Sequence, residues 1–270
     1  MAKQTLSALQ ILKESIRHFR NDDGFTLAAA LSFYAILSLI PLTMILVSIL
    51  GHLLGHSEAV LESIIQLISE SIPQLSPSFL KSLSSLIQRK LTGGWVGVTA
   101  LFLVASVLFS NLEKVLDKIF DNPKKRNFFH SKLLSVLFIF LISILLFLPG
   151  VLKNANSLFS LLQIPFSMER VTQGSFFFFL VGWASFIIVL AVVPKQEVSF
   201  RLNFLGGFVF ALLLIGVKEI FHWYTQLSFE RFHLVYGSLT ALILIILWIF
   251  YFMNLFIFCA ELVGVLQKEK

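Results

Sequence analysis

From Phe25 to Leu54 the sequence carries no Asp, Glu, Lys or Arg. At about 1.5 Å per residue, a helix over this run is more than long enough to cross a hydrocarbon core of ~30 Å. Within it, Ala28, Ser32, Ala35 and Ser38 fall three or four apart, so one helix face is made of small residues. Such a face lets a second helix come close, which is how helices associate in lipid. Tyr34 adds a hydroxyl, and Pro41 predicts a mid-span kink whose freed backbone groups need neighbours. The run therefore reads as a helix inside a bundle; the plainer alternative is a simple anchor with scattered Ser and Ala.

The rest of the chain repeats the pattern. Uncharged or nearly uncharged runs at about 95–112, 133–152, 175–193, 204–224 and 236–265 join 25–54 to predict six transmembrane helices. The chain is 57% hydrophobic and only 13% charged. A soluble domain carries about 25% charged residues. The fold class expected is all-α, a polytopic membrane helix bundle, with all 270 residues in one membrane domain. Amphipathic interfacial helices should flank the spans. Residues 1–21 hold one, with Leu6, Leu9, Leu12, Ile16 and Phe19 as its apolar stripe. The 55–93 connection holds two more, ended by Pro73 and by Gly93-Gly94. Asn21-Asp22-Asp23-Gly24 breaks the first helix, and Asp22 or Asp23 is a candidate cap for the next. No cleavable leader is legible, so the first span should act as the insertion signal.

Six spans put both termini on one side. Fourteen of the 21 basic residues fall on that side, in the N-terminal segment, the loops after the second and fourth spans, and the C-terminus. Positive charge stays inside, so both termini are expected in the cytoplasm and the 55–93 connection outside. The single cysteine, Cys259, excludes an intrachain disulfide and paired-Cys metal motifs; it reads as a small buried hydrophobe.

Three stretches carry a family resemblance: AAALSFYAILSLIPL near the start, VPKQEVSFRLNFLGGFVFALL in the middle and VYGSLTALILIILWIFYFMNLFIFCAEL near the end. They resemble the YihY/BrkB family of bacterial inner-membrane proteins, over about Asp22 to Leu262. The resemblance implies a multi-pass protein of the bacterial plasma membrane. It implies no catalytic signature. Members once carried the label ribonuclease BN, a misassignment.

Candidate functional residues are sparse. On the last span Gly237, Thr240, Tyr251, Asn254 and Glu261 recur on one face, and an acid within a span faces protein or water. On the fifth, Gly207, Ala211, Leu214 and Lys218 share a face; Lys218 either meets an anionic group or snorkels to the interface. Asn111 and Glu113 close the second span, where an amide can bond a neighbouring helix. The small face of the first span is expected to pack against the fifth and sixth around a cavity lined by Ser32, Ser38, Lys218, Tyr251, Asn254 and Glu261.

His52 and His56 are spaced i, i+4, but no HExxH surrounds them and only Glu58 offers a third ligand. No metal and no cofactor is expected. The basic cluster Lys124-Lys125-Arg126 fits anionic headgroups better than a specific nucleic acid. No phosphate loop, nucleophile elbow or dense carboxylate set is legible, so an enzyme is not expected. The expected partners are membrane lipids and an amphipathic or anionic small molecule, making the chain a transporter or lipid-handling protein. A membrane-embedded enzyme and a non-transporting scaffold are the alternatives.

Overall fold

The computed structural model describes residues 7–38, 94–121, 175–236 apart from 197, and 240–268. Every element among them is a helix. They are α1 (Ala8–Asn21), α2 (Gly24–Ser38), α3 (Gly94–Ile119), α4 (Ser175–Val192), α5 (Phe200–Tyr236) and α6 (Thr240–Lys268). The 55–93 connection, the predicted third span at 133–152 and the pair His52 and His56 lie outside the described residues.

Local signals set several boundaries. Ser7 starts α1 with a capping box: its hydroxyl accepts from the Gln10 N–H at 3.4 Å, and its own N–H donates to the Gln10 side chain at 2.8 Å. Asp22 closes α1 rather than opening α2: it is the C-cap, and its N–H donates to the His18 carbonyl. The turn passes through Asp23 at φ 56°, a left-handed conformation that Asp tolerates. Gly24 then lies under the Phe19 ring, 2.4 Å from where a Cβ would stand. Pro194 follows α4, as expected of a residue that cannot continue a helix. The helix of the fifth predicted span differs most from expectation, running to Tyr236 instead of Tyr224. No Pro or Gly interrupts residues 217–236, so nothing in the backbone stops it. At 37 residues it is about 55 Å long, well beyond a ~30 Å hydrocarbon core.

Among the described residues, two stretches, Phe200–Leu227 and Leu242–Lys268, are long and apolar enough to cross a membrane. The core helix of a soluble protein can be equally apolar, but it is mostly buried. Here only 28% and 22% of the most apolar windows are buried. Leu212, Leu213, Ile220, Trp223, Leu227 and Ile246 stand exposed along them.

The inner faces pack through aromatic rings and small residues. Phe186 of α4 stacks on Phe210 of α5 at 5.0 Å, and Phe256 of α6 meets both edge-on, at 5.5 and 6.2 Å. Gly206 faces Val263 of α6, while Gly207 faces Trp183 and Ile187 of α4. Adjacent glycines thus bring α5 close to two helices at once. Two side-chain bonds lock α4 to α5 nearby: Asn203 Nδ2 donates to the Ile187 carbonyl at 2.9 Å, and Trp183 Nε1 to the Phe204 carbonyl at 3.1 Å.

α2, the described part of the first predicted span, packs by its small face; the kink expected at Pro41 lies outside the described residues. Ala28, Ser32 and Ser38 are buried, while Phe33 and Leu37 look outward. The Ser32 hydroxyl donates to the Ala28 carbonyl at 2.6 Å and reaches the Ile249 carbonyl of α6 at 3.5 Å.

α1 also packs on α6, but of its apolar stripe only Phe19 is buried there, its ring 6.1 Å from that of Phe258. It buries Ser15 and Phe19, and leaves Leu9, Leu12 and Ile16 exposed, Leu9 at 79%. The Ser15 hydroxyl is satisfied by the Ile11 carbonyl at 2.8 Å. An apolar stripe turned outward beside exposed Lys13, Arg17 and Arg20 is the pattern of a helix lying in a membrane interface.

Candidate functional site

One end of the bundle collects charge. α3 runs past its apolar part into Glu113, Asp117 and Lys118, with Asp121 in the turn that follows, and these reach three other segments. Lys195, in the turn between α4 and α5, places Nζ 2.5 Å from Asp117 Oδ2 and 3.7 Å from Glu113 Oε1. Its backbone N–H donates to Asp117 Oδ1 at 3.3 Å. Lys118 Nζ bonds Asp22 twice, to Oδ1 at 3.2 Å and to its carbonyl at 2.9 Å. Lys268, near the end of α6, pairs with Asp121. The charged extension of α3 therefore clasps the α1–α2 turn, the α4–α5 turn and the end of α6.

Beside this clasp stand His18, Asp22 and Glu261. One potential ligand atom from each lies within 4.8 Å of the other two. Glu261 is 2% exposed. Its Oε1 has no hydrogen-bond partner among the described residues. His18 Nε2 has Glu14 at 3.8 Å. The sequence singled out Glu261 but not His18. The legible signal was the i, i+4 spacing of His18 and Asp22, which puts both on one face of a helical turn.

The other predicted residues occupy different surroundings. Ser38 is buried and donates to the Ala35 carbonyl at 2.7 Å. Asn254, midway along α6, donates from Nδ2 to the Phe250 carbonyl at 2.8 Å; its Oδ1 is buried with no partner among the described residues. Tyr251 is 45% exposed, its ring 6.4 Å from that of Phe221. Lys218 is half-buried, pairs with Glu219 at 3.3 Å and sits 5.3 Å above the Phe178 ring. Phe178 is in the first turn of α4, so Lys218 lies at the end of the bundle opposite Lys195. Asn111, half-buried, donates to the Val107 carbonyl of its own helix at 2.8 Å, with no bond to another helix among the described residues. Asn203, which the sequence reading passed over, is the amide that joins two helices.

Comparison with known proteins agrees with the membrane character of these helices. A UPF0761 membrane protein of Haemophilus influenzae strain 86-028NP is 25% identical, over 82% of each chain. One from Mannheimia succiniciproducens is 26% identical over 82% of this chain and 77% of its own. One from Actinobacillus pleuropneumoniae serotype 5b is 24% identical over 91% of this chain and 89% of its own. No solved structure matches. The profile of the family described as virulence factor BrkB matches residues 15–270, almost the whole chain including every described helix but the start of α1, and the chain belongs to that family.

Proposed function

We propose that this chain is a six-span protein of the bacterial inner membrane that moves or handles an amphipathic or anionic small molecule. The observation that carries this reading is Asn254. Its carboxamide oxygen is buried midway along an apolar helix, with no partner among the described residues. A buried polar atom without a partner costs about 1–3 kcal/mol, so a polar guest that satisfied it would be favoured. Ser32 and Ser38, buried on one face of α2, bond carbonyls of their own helix and keep acceptor capacity on their hydroxyls. The clasp supports a common side for the termini, because it draws α1, the α4–α5 turn and the end of α6 to one end. Those are the segments with excess Lys and Arg, which supports a cytoplasmic location for that end under the positive-inside rule. RNA cleavage gains no support from Lys118 and Lys195, whose ammonium groups are taken by carboxylates.

Two experiments test the reading. Single cysteines at Ser38 and Asn254, on a Cys259→Ala background, are expected to react with a small water-soluble maleimide. Full protection of both in a folded protein would mean a dry interior and defeat the proposal. Reporter fusions should place the C-terminus in the cytoplasm and Ser78 outside; an external C-terminus would end the six-span topology.

A further inference from the structure

We infer that His18, Asp22 and Glu261 form a binding site for a divalent cation of the class that accepts nitrogen and oxygen ligands together, such as Zn²⁺, Mn²⁺ or Co²⁺. Three features carry the inference. The first is the donor set. One imidazole and two carboxylates suit these ions, whereas a calcium site would be built of oxygen alone. The ligand atoms lie within 4.8 Å of one another. Around a tetrahedral ion with bonds of about 2.1 Å, donors stand roughly 3.4 Å apart, so rotamer adjustments of an ångström or so close the site.

The second feature is the unpartnered oxygen. Glu261 is buried, and its Oε1 meets no donor among the described residues, although Lys118, Lys195 and Lys268 lie at this end of the bundle. Those lysines are committed elsewhere: Lys195 to Asp117, Lys268 to Asp121, and Lys118 to Asp22 Oδ1 and the Asp22 carbonyl. Lys118 thereby holds Asp22 Oδ1, while the Asp22 carboxyl group keeps a ligand atom within 4.8 Å of those of His18 and Glu261.

The third is the surrounding support. Glu14 Oε1 stands 3.8 Å from His18 Nε2, beyond a hydrogen bond but one rotamer adjustment from the outer-carboxylate position beside an imidazole that ligates through Nδ1. The side chains of His18 and Asp22 remain 33% and 24% exposed, which gives an ion a path from solvent to buried Glu261. A bound cation would join α1 and its following turn to α6, two segments at opposite ends of the chain.

The test uses the full-length protein, free of any polyhistidine tag, purified in detergent and stripped with chelator. Titration with Co²⁺ is expected to give one equivalent bound and a visible absorption band that Zn²⁺ displaces. Glu261→Gln, His18→Gln and Asp22→Asn should each weaken binding by at least about 100-fold, more than the ~10–100-fold lost with an outer partner. Their circular dichroism reports whether each variant stays helical. Absence of stoichiometric Co²⁺, Mn²⁺ and Zn²⁺ binding by the unsubstituted chain would overturn the site and leave two carboxyl groups sharing a proton. Undiminished binding by helical Glu261→Gln would also overturn it, as the signature of an adventitious surface site.

Discussion

Lys195→Met is expected to lower the stability of the purified protein by about 3 kcal/mol, the lower end of the range for breaking a buried ion pair. The lysine is the shared counter-charge of Asp117 and Glu113, whose side chains are only 13% and 9% exposed. Removing it leaves two carboxylates close together in a poorly solvated pocket, repelling each other. Its backbone N–H would still reach Asp117, so the turn keeps one tie to α3. Lys195→Arg should retain most of the stability. Asp117→Asn in the Lys195→Met chain should recover part of the loss by removing one stranded charge. Thermal unfolding followed by circular dichroism in one detergent reads all three. A Lys195→Met protein as stable as the parent would mean that the clasp is a solvated surface network worth little.

Gly206→Ala is expected to destabilise by about 1–3 kcal/mol, the usual cost of overpacking, although alanine is the better helix former by about 1 kcal/mol. A Cβ at this position would stand 2.2 Å from Val263 Cγ2 and 3.3 Å from Phe186 Cε1. The valine cannot turn away freely, since a β-branched side chain in a helix has one strongly preferred rotamer. Val263→Ala removes the colliding methyl. The double variant Gly206→Ala/Val263→Ala should therefore be more stable than Gly206→Ala alone, despite losing a buried side chain. If the two losses simply add, the α5–α6 contact is looser than the glycine implies. By contrast, Gly216 has nothing within 4 Å of a new Cβ, and Gly216→Ala should be neutral or mildly stabilising.

The helices were legible because apolar runs are long and their interruptions chemical. The sequence located Ser175–Val192 to within a residue of its observed end, since Pro194 and the charge after it leave little choice. It shortened α5, because hydropathy falls after Tyr224 while the backbone has no reason to stop. Hydropathy reports the solvent around a helix, and helical geometry continues regardless. Orientation was harder to read. The apolar stripe of α1 predicted a face without saying what it meets, and Ser15 and Phe19 turned out to be the residues against α6. The polar face of α6 grouped Tyr251 with Asn254 and Glu261, yet Tyr251 is exposed and the other two look inward. Residues spaced three and four drift around a straight helix, so a face followed over many turns ends on a different side. His18 was missed for another reason. Its partner Glu261 comes from the far end of the chain, and no local pattern records such a meeting.

That meeting bears on how the molecule is made. Ser32 reaches a carbonyl 217 positions later in the chain, and α1 docks on the same last helix. A ribosome adding ~5–20 residues per second needs roughly 10–40 s to supply that much chain. Throughout that interval α1 has no α6 to rest on. Its outward leucines and flanking cations give it another place to wait, at the bilayer surface, until the final helix arrives and closes the bundle from both ends of the polypeptide.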